Sequence, residues 1–356
     1  MYRRDVNERH LFTKGLLTTC CFILLSVATA CNQEEAQQTS PTTLNTPTQE
    51  LSPSPTLSPK PMVLPYTFAL TGLPSSKKVE NRPFMIMVEN TPAARPQSGL
   101  DQADIVYEVL AEGEITRFLS VFQSEAPGKI GPVRSIRPYF VELGVGFDAM
   151  LVHAGWSQDG MNMMVKLHAA HLDEVYGDGD SYWRSTDRKP PHNLYTSIVL
   201  ATKGAERRKF RMEWNDPFMH FAKDGQSVQG QPATKVDIPY IMGYKVAYEY
   251  DALTGVYKRI MAGIPHLDKE TKKQLTATNV LVIEAKHRIL DNAGRRSVDV
   301  NGPGTGFIFQ QGKMQEITWN RTDGIIRAYI GKTEVPMLPG KTWVQIVPLG
   351  TQLTWH

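Results

Sequence analysis

The sequence predicts an α+β or α/β N-terminal domain with a mixed sheet, followed by a mainly-β C-terminal domain. Three observations carry that expectation. Over residues 66–232, apolar strand runs alternate with segments of helical spacing. Over residues 233–356, short strand runs recur between turn signals, with no strong helical pattern. Ahead of both, residues 32–65 hold seven Pro and ten Ser or Thr among 34 positions, too little apolar surface to offset the entropy of ordering.

In the first domain, Phe84-Met85-Ile86-Met87-Val88 reads as a buried strand. Residues 104–110 and 116–123 are two more, turned by Glu112-Gly113-Glu114. Ser135 is placed to cap a helix running toward Val145, with Pro138 in its first turn. Residues 149–153 read as a strand, and 158–169 and 197–210 as helices. In the second domain, residues 246–250 and 256–260 flank a Leu253-Thr254-Gly255 turn, and residues 279–284, 306–310, 316–319, 325–330 and 342–347 are further strands. The turn-rich stretch 223–235 predicts a joint between two separately folding units.

Residues 1–30 read as an export signal. Arg3, Arg4, Arg9 and Lys14 precede an apolar stretch at 16–27, too short to span a bilayer. The ending Ala28-Thr29-Ala30-Cys31 resembles a bacterial lipobox, with Ala28 where Leu is usual. That resemblance implies cleavage before Cys31 and lipidation of its thiol. The chain would then be held at the extracytoplasmic face of the cell membrane, with residues 31–65 as a disordered spacer. The alternative is a secretory peptide cleaved after Ala30. All three cysteines (Cys20, Cys21, Cys31) lie at or before residue 31, so the folded part has no disulfide, thiol nucleophile or thiolate metal site.

With 356 residues, a mean hydropathy of −0.31 and one apolar run, the chain is not a polytopic membrane protein. A formal charge of +3 leaves no footprint for nucleic acid. The charge is uneven: 18 basic against 20 acidic residues over 66–232, and 16 against 11 over 233–356.

Four segments of the first domain carry candidate chemistry. Residues 94–100, with Arg95, form a polar loop after a strand, where sites commonly sit. Asp104, Glu108, Glu112 and Glu114 share one parity of an extended chain, with Arg117 beyond. They suit a solvated acidic face paired with Arg117, a divalent-cation site, or acid–base catalysis by Glu108 and Glu112. In Gly131-Pro132-Val133-Arg134-Ser135-Ile136-Arg137-Pro138, Arg134, Ser135 and Arg137 meet a helix start, which suits phosphate or carboxylate or pairing with the acidic face. Residues 182–195 gather Trp183, Arg184, His192 and Asn193, a mixture suited to glycan or peptide, with His192 as a candidate acid or base. His153 carries the same catalytic reading as His192, and His168 with His171 a weak two-His metal reading. No nucleophile elbow, phosphate loop or dinucleotide fingerprint is present.

Together RPFMIMVEN, ARPQSGLDQADIVYEVLAEGEITRFLSVFQ, KIGPVRSIRPYF, PHNLYT, NVLVIEA, NGPGTGFIFQQGK and LPGKTWVQIVP resemble the YerB-like bacterial lipoproteins, the DUF3048 family, over nearly all of 66–350. The resemblance implies a two-domain, membrane-tethered lipoprotein and no established reaction. It directs attention to Arg95, Glu108, Glu112, Arg117, Arg134, Arg137, His192 and Asn193. The order ADIVYE, TRFL, GPVRS is also loosely similar to the motifs of LytR–CpsA–Psr phosphotransferases.

The reading is an extracytoplasmic lipoprotein whose α/β domain binds an anionic or glycan ligand of the cell envelope. Ligand-binding candidates are Arg95, Arg117, Arg134, Ser135, Arg137, Arg184 and Asn193. Catalytic candidates are Glu108, Glu112 and His192. The partners expected are the membrane, through the lipid anchor, and a cell-wall polymer or envelope protein. No cofactor is called beyond the divalent cation. The rivals are a wall-acting phosphotransferase or glycan hydrolase, and a purely structural protein whose charges pair internally. Convergence of the candidates on one cleft separates the first two readings from the third.

Overall fold

The computed structural model describes residues 64–223, 225–240 and 244–356. The export signal, Cys31 and the spacer through residue 63 lie outside the described residues.

The first segment supplies β1 (Phe84–Glu89), β2 (Ile105–Leu110), β3 (Thr116–Phe122), α1 (Pro138–Gly146), β4 (Met150–His153), α2 (Gln158–Lys166), β5 (His171–Asp173) and α3 (Ile198–Arg207). The second supplies β6 (Lys235–Tyr240), β7 (Tyr244–Asp251), β8 (Val256–Met261), β9 (Asn279–Ala285), β10 (Gly304–Gln310), β11 (Lys313–Thr322), β12 (Ile325–Ile330) and β13 (Thr342–Pro348). Apart from β5 and β6, which the sequence reading lacks, the labelled strands fall where the sequence predicts them. No helix follows Arg207 among the described residues.

One mixed sheet runs through both segments in the order β12-β11-β10-β9-β13-β2-β3-β1-β4-β5. β9, β13, β2, β1, β4 and β5 run the same way, and β3 is reversed between β2 and β1. β6, β7 and β8 form a smaller antiparallel sheet.

Side-chain alternation sorts the core into two layers. Phe84, Ile86 and Val88 of β1 face the layer that holds Ala201 and Ala205 of α3 and Val236, Ile238 and Tyr248 of the small sheet. Met85 and Met87 face the other layer, with Tyr139, Phe140 and Leu143 of α1. All six residues of β1 and all six of β2 are buried, Glu89 and Glu108 included, because both faces of this part of the sheet are covered. Gly144 lets α1 lie directly on the sheet, because a Cβ there would run into the Leu151 side chain.

Two expectations are corrected. The joint at 223–235 is a change of composition and not a break between cores. β13 lies parallel between β9 of its own segment and β2 of the other, so the second segment completes the first segment's sheet. Ser135 also does not cap α1. Residues 130–136 run extended, bridging Val88 to Val133 and Ile136 to Trp156, and the helix starts at Pro138 with Arg137 as its cap residue, without a side-chain cap bond. Pro suits that first position because its missing N–H is one that a helix start leaves unpaired.

Candidate anion-binding site

The carboxyl ends of β1, β2 and β4 lead to one side of the sheet, where open α/β sheets place ligands. There the chain leaves β1 through Glu89, Asn90 and Thr91, and turns from β2 to β3 through residues 111–115. The extended 130–137 segment closes the site. A cleft of about 330 Å³ opens between them, lined in part by Glu89, Thr91, Glu112, Arg117, Arg134, Ser135 and Arg137.

Local backbone chemistry sets the partners. Gly131 has φ +145, and a Cβ on it would lie 2.8 Å from the Leu194 carbonyl. Glycine therefore lets residues 130–133 lie against 194–196, where Val133 N–H donates to Leu194 O at 2.7 Å and Ile130 N–H to Thr196 O at 2.8 Å. That contact brings Arg134 beside His192 although 58 residues separate them.

Glu89 is the hub. Its Oε1 accepts from Thr91 Oγ1 at 2.7 Å and lies 2.9 Å from His192 Nδ1, and its Oε2 lies 2.8 Å from Arg134 Nη2. Burial pushes this carboxyl up, and the Arg134, Thr91 and His192 contacts more than offset it, so Glu89 stays below the usual carboxylate range. Glu89 Oε1 and Arg134 Nη2, the latter at 3.3 Å, both face His192 Nδ1, so the ring is oriented through that nitrogen. Arg134 Nε and Nη1 make no hydrogen bond to any described residue, so its fork is only partly used.

Glu112 joins the other two guanidiniums. Arg117 Nη2 reaches its Oε2 at 3.0 Å, and Arg137 Nε and Nη2 reach its Oε1. Burial raises this carboxyl, but Arg117 and Arg137 together hold it below the usual range. Arg117 Nη1 also donates to Ser135 O at 2.8 Å, and Arg137 Nη1 to Ile136 O at 2.7 Å. The cleft thus holds three guanidiniums against two ionised carboxylates, an excess of one positive charge. Such a site suits a phosphate or carboxylate.

The four acidic residues of shared parity do not form one face, because the alternation ends at Leu110 and the 111–115 turn re-aims the side chains beyond it. Asp104 caps the turn after β3, accepting from the Gln123 and Ser124 N–H groups at 2.7 and 3.0 Å. Glu108 is fully buried behind the cleft. Its Oε1 accepts from Thr116 Oγ1 at 2.7 Å and Asn90 Nδ2 at 3.2 Å, and its Oε2 pairs with Arg259 Nη2 at 2.6 Å. Glu112 sits in the cleft wall, and Glu114 is half-buried in the turn.

Arg184 and Asn193 are not among the cleft-lining residues. Arg184 donates to Glu174 at 3.0 Å and to Asn193 at 3.3 Å, and Asn193 donates to Ser185 O at 2.9 Å, so the two brace the 183–195 loop. Arg95 donates to Asn90 Oδ1 at 3.0 Å and Asn90 O at 2.7 Å, and lines a different cleft. His171 lies on β5, past the end of α2, and stacks on His153 with ring centroids 5.2 Å apart. No cluster of three or more metal-ligating residues occurs among the described residues.

Glu89, Thr91 and Arg259 are the groups that sequence reasoning missed. Two of them left a signal. Glu89 ends an apolar strand run, and Arg259 shares inward parity with Tyr257 and Met261.

Residues 70–211 match the family described as "Protein of unknown function (DUF3048) N-terminal domain", and residues 236–344 match its C-terminal domain. The chain is 40% identical over 282 residues to "Putative lipoprotein YerB" of Bacillus subtilis (strain 168), which covers 78% of this chain and 85% of that one. It is also similar to the crystal structure of YerB protein from Bacillus subtilis, with a TM-score of 0.75 and 38% identity, over 81% of this chain and 99% of that one. With both of its domains matched in order and across most of the described residues, the chain belongs to the DUF3048 family.

Proposed function

We propose that this protein is an extracytoplasmic lipoprotein, anchored through Cys31, that binds an anionic ligand of the cell envelope in the Glu89–Arg134–Arg137 cleft. The ligand class is a phosphate- or carboxylate-bearing glycan or wall polymer. The carrying observation is the set of three guanidiniums, with Arg134 keeping free donors. The stacked Trp156 and Tyr176, centroids 4.8 Å apart, support a sugar-bearing ligand, because Trp156 bridges to Ile136 beside Ser135.

A second reading, phosphoryl or acyl transfer, is favoured by one observation: the His192–Glu89 pair, in which a carboxylate lies 2.9 Å from Nδ1 and orients the imidazole. Glycoside hydrolysis by two carboxylates draws no such support, since Glu108 and Glu112 are each held by guanidiniums.

Calorimetric titration with glycerol-phosphate oligomers tests the binding reading. Arg134→Lys keeps a cation for Glu89 but loses the fork, so it should melt near the parent and bind at least tenfold more weakly. Equal binding by parent and variant, or no binding by the parent to any phosphate- or carboxylate-bearing wall fragment, would reject it.

A further inference from the structure

Residues 89–97 contribute to a second cleft, of about 430 Å³, lined by Pro92, Arg95 and Pro96 on one side and by Met261, Ala262, Ile264, Pro265, His266 and Leu267 on the other. Its chemistry differs from that of the first. Apolar side chains dominate the lining, and Ile264 and Leu267 remain 67% and 38% exposed at its lip. Arg95 is the one charged residue lining it.

Arg95 has no carboxylate partner among the described residues. Its guanidinium donates to Asn90 Oδ1 and Asn90 O and stacks 4.6 Å from the Tyr244 ring centre. Its Nη1 makes no hydrogen bond to a described residue. Burial pulls this guanidinium down to about 10, with the buried Glu108 carboxylate partly offsetting it and Arg259 adding to it. The other polar liner, His266, is neutral. Arg259 Nε donates to its Nδ1 at 3.1 Å, and its Nε2 lies 2.8 Å from Gln97 Oε1. Burial first, then Arg259 and Arg95, hold its imidazole well below the ordinary histidine range.

We propose that this cleft binds an aliphatic carboxylic acid, with the carboxylate on Arg95 and the chain along Met261, Ile264 and Leu267. An apolar trough with one cation that has no ion-pair partner among the described residues complements a molecule with an apolar body and one negative end. The apolar lip at Ile264 and Leu267 extends the trough for a chain. A peptide fits less well, because the adjoining edge strand Ile264–Pro265 is two residues long and Pro265 donates no main-chain hydrogen bond. The two clefts share no lining residue, although Asn90, which accepts from Arg95, lines the Arg134 cleft.

The test is calorimetric titration of the chain from residue 31 onward, carrying Cys31→Ser, with decanoate below its self-association concentration. Decanol and an acetylated peptide ending in Leu are run beside it. Decanoate should bind saturably, and decanol at least tenfold more weakly. Arg95→Gln should weaken decanoate at least tenfold and leave decanol unchanged. Ile264→Asp, at an exposed lip position, should weaken decanoate without altering the melting temperature. Arg134→Lys should leave decanoate binding as it is, which separates this site from the anion cleft. Absence of saturable decanoate binding, equal binding by parent and Arg95→Gln, or binding of the peptide alone would overturn the proposal.

Discussion

Arg259 and Glu108 form an ion pair at 2.6 Å with neither side chain exposed, and each comes from a different segment of the chain. Arg259 also lies 4.4 Å from the Trp343 ring centre and donates to Tyr248 at 2.5 Å, so every face of the guanidinium is occupied. A buried pair of this kind adds little net stability, but breaking it strands a charge. Arg259→Met should cost about 3–5 kcal/mol in denaturant unfolding. The double variant Glu108→Leu with Arg259→Met should cost less than the sum of the single changes, by roughly 0.5–3 kcal/mol. Strict additivity would show that the pair is not coupled.

The same geometry predicts that residues 66–232 do not fold alone. Without the second segment, β2 loses β13 along one edge, and Glu108 loses its guanidinium. That fragment should show no cooperative thermal transition by circular dichroism. A sharp transition near that of the intact chain would mean that the shared sheet is dispensable.

His153 makes folding sensitive to acid. Burial, and then the facing His171, lower its imidazole to about 3, against about 6.5 in an unfolded chain. Below pH 6.5 the unfolded chain therefore binds the proton that the folded chain refuses. The contribution is fully present above pH 6.5 and drains away as pH falls toward 3. Between pH 7 and 4.5 it amounts to about 2–3 kcal/mol. Unfolding curves at these two pH values should show that loss in the parent and a smaller one in His153→Gln. An identical pH slope in the two proteins would exclude His153 as its source.

Lipid anchoring has a direct readout. Metabolic labelling with a palmitate analogue should mark the protein, and Cys31→Ser should abolish the mark. Label that persists in the variant would move the modification elsewhere.

The strands were legible because local chemistry dictates them. Buried runs such as Phe84-Met85-Ile86-Met87-Val88, and hairpins such as the one turned at Leu253-Thr254-Gly255, need no distant information. Arg117, Arg134 and Arg137 were legible as anion-binding types, and the fold brings all three to one cleft. The insertion of β13 beside β2 was not legible, because a parallel neighbour 237 residues away in sequence leaves no local pattern. The same is true of Glu108. Its parity with Glu112 suggested an open acidic face, whereas the Arg259 that claims it lies 151 residues further on. His192 was visible as a residue type, but its orientation by Glu89 depends on the Gly131 contact with Leu194.

That an anion occupies the space beside Arg134 is the central claim. Amide NMR of the deuterated protein titrated with pyrophosphate at low salt measures this at residue level. Shifts should saturate at Thr91, Arg117, Ser135 and Arg137, shrink as salt is raised, and vanish from the same concentration range in Arg134→Gln. Shifts scattered over lysine-bearing surfaces, or a response in Arg134→Gln equal to that of the parent, would contradict the claim.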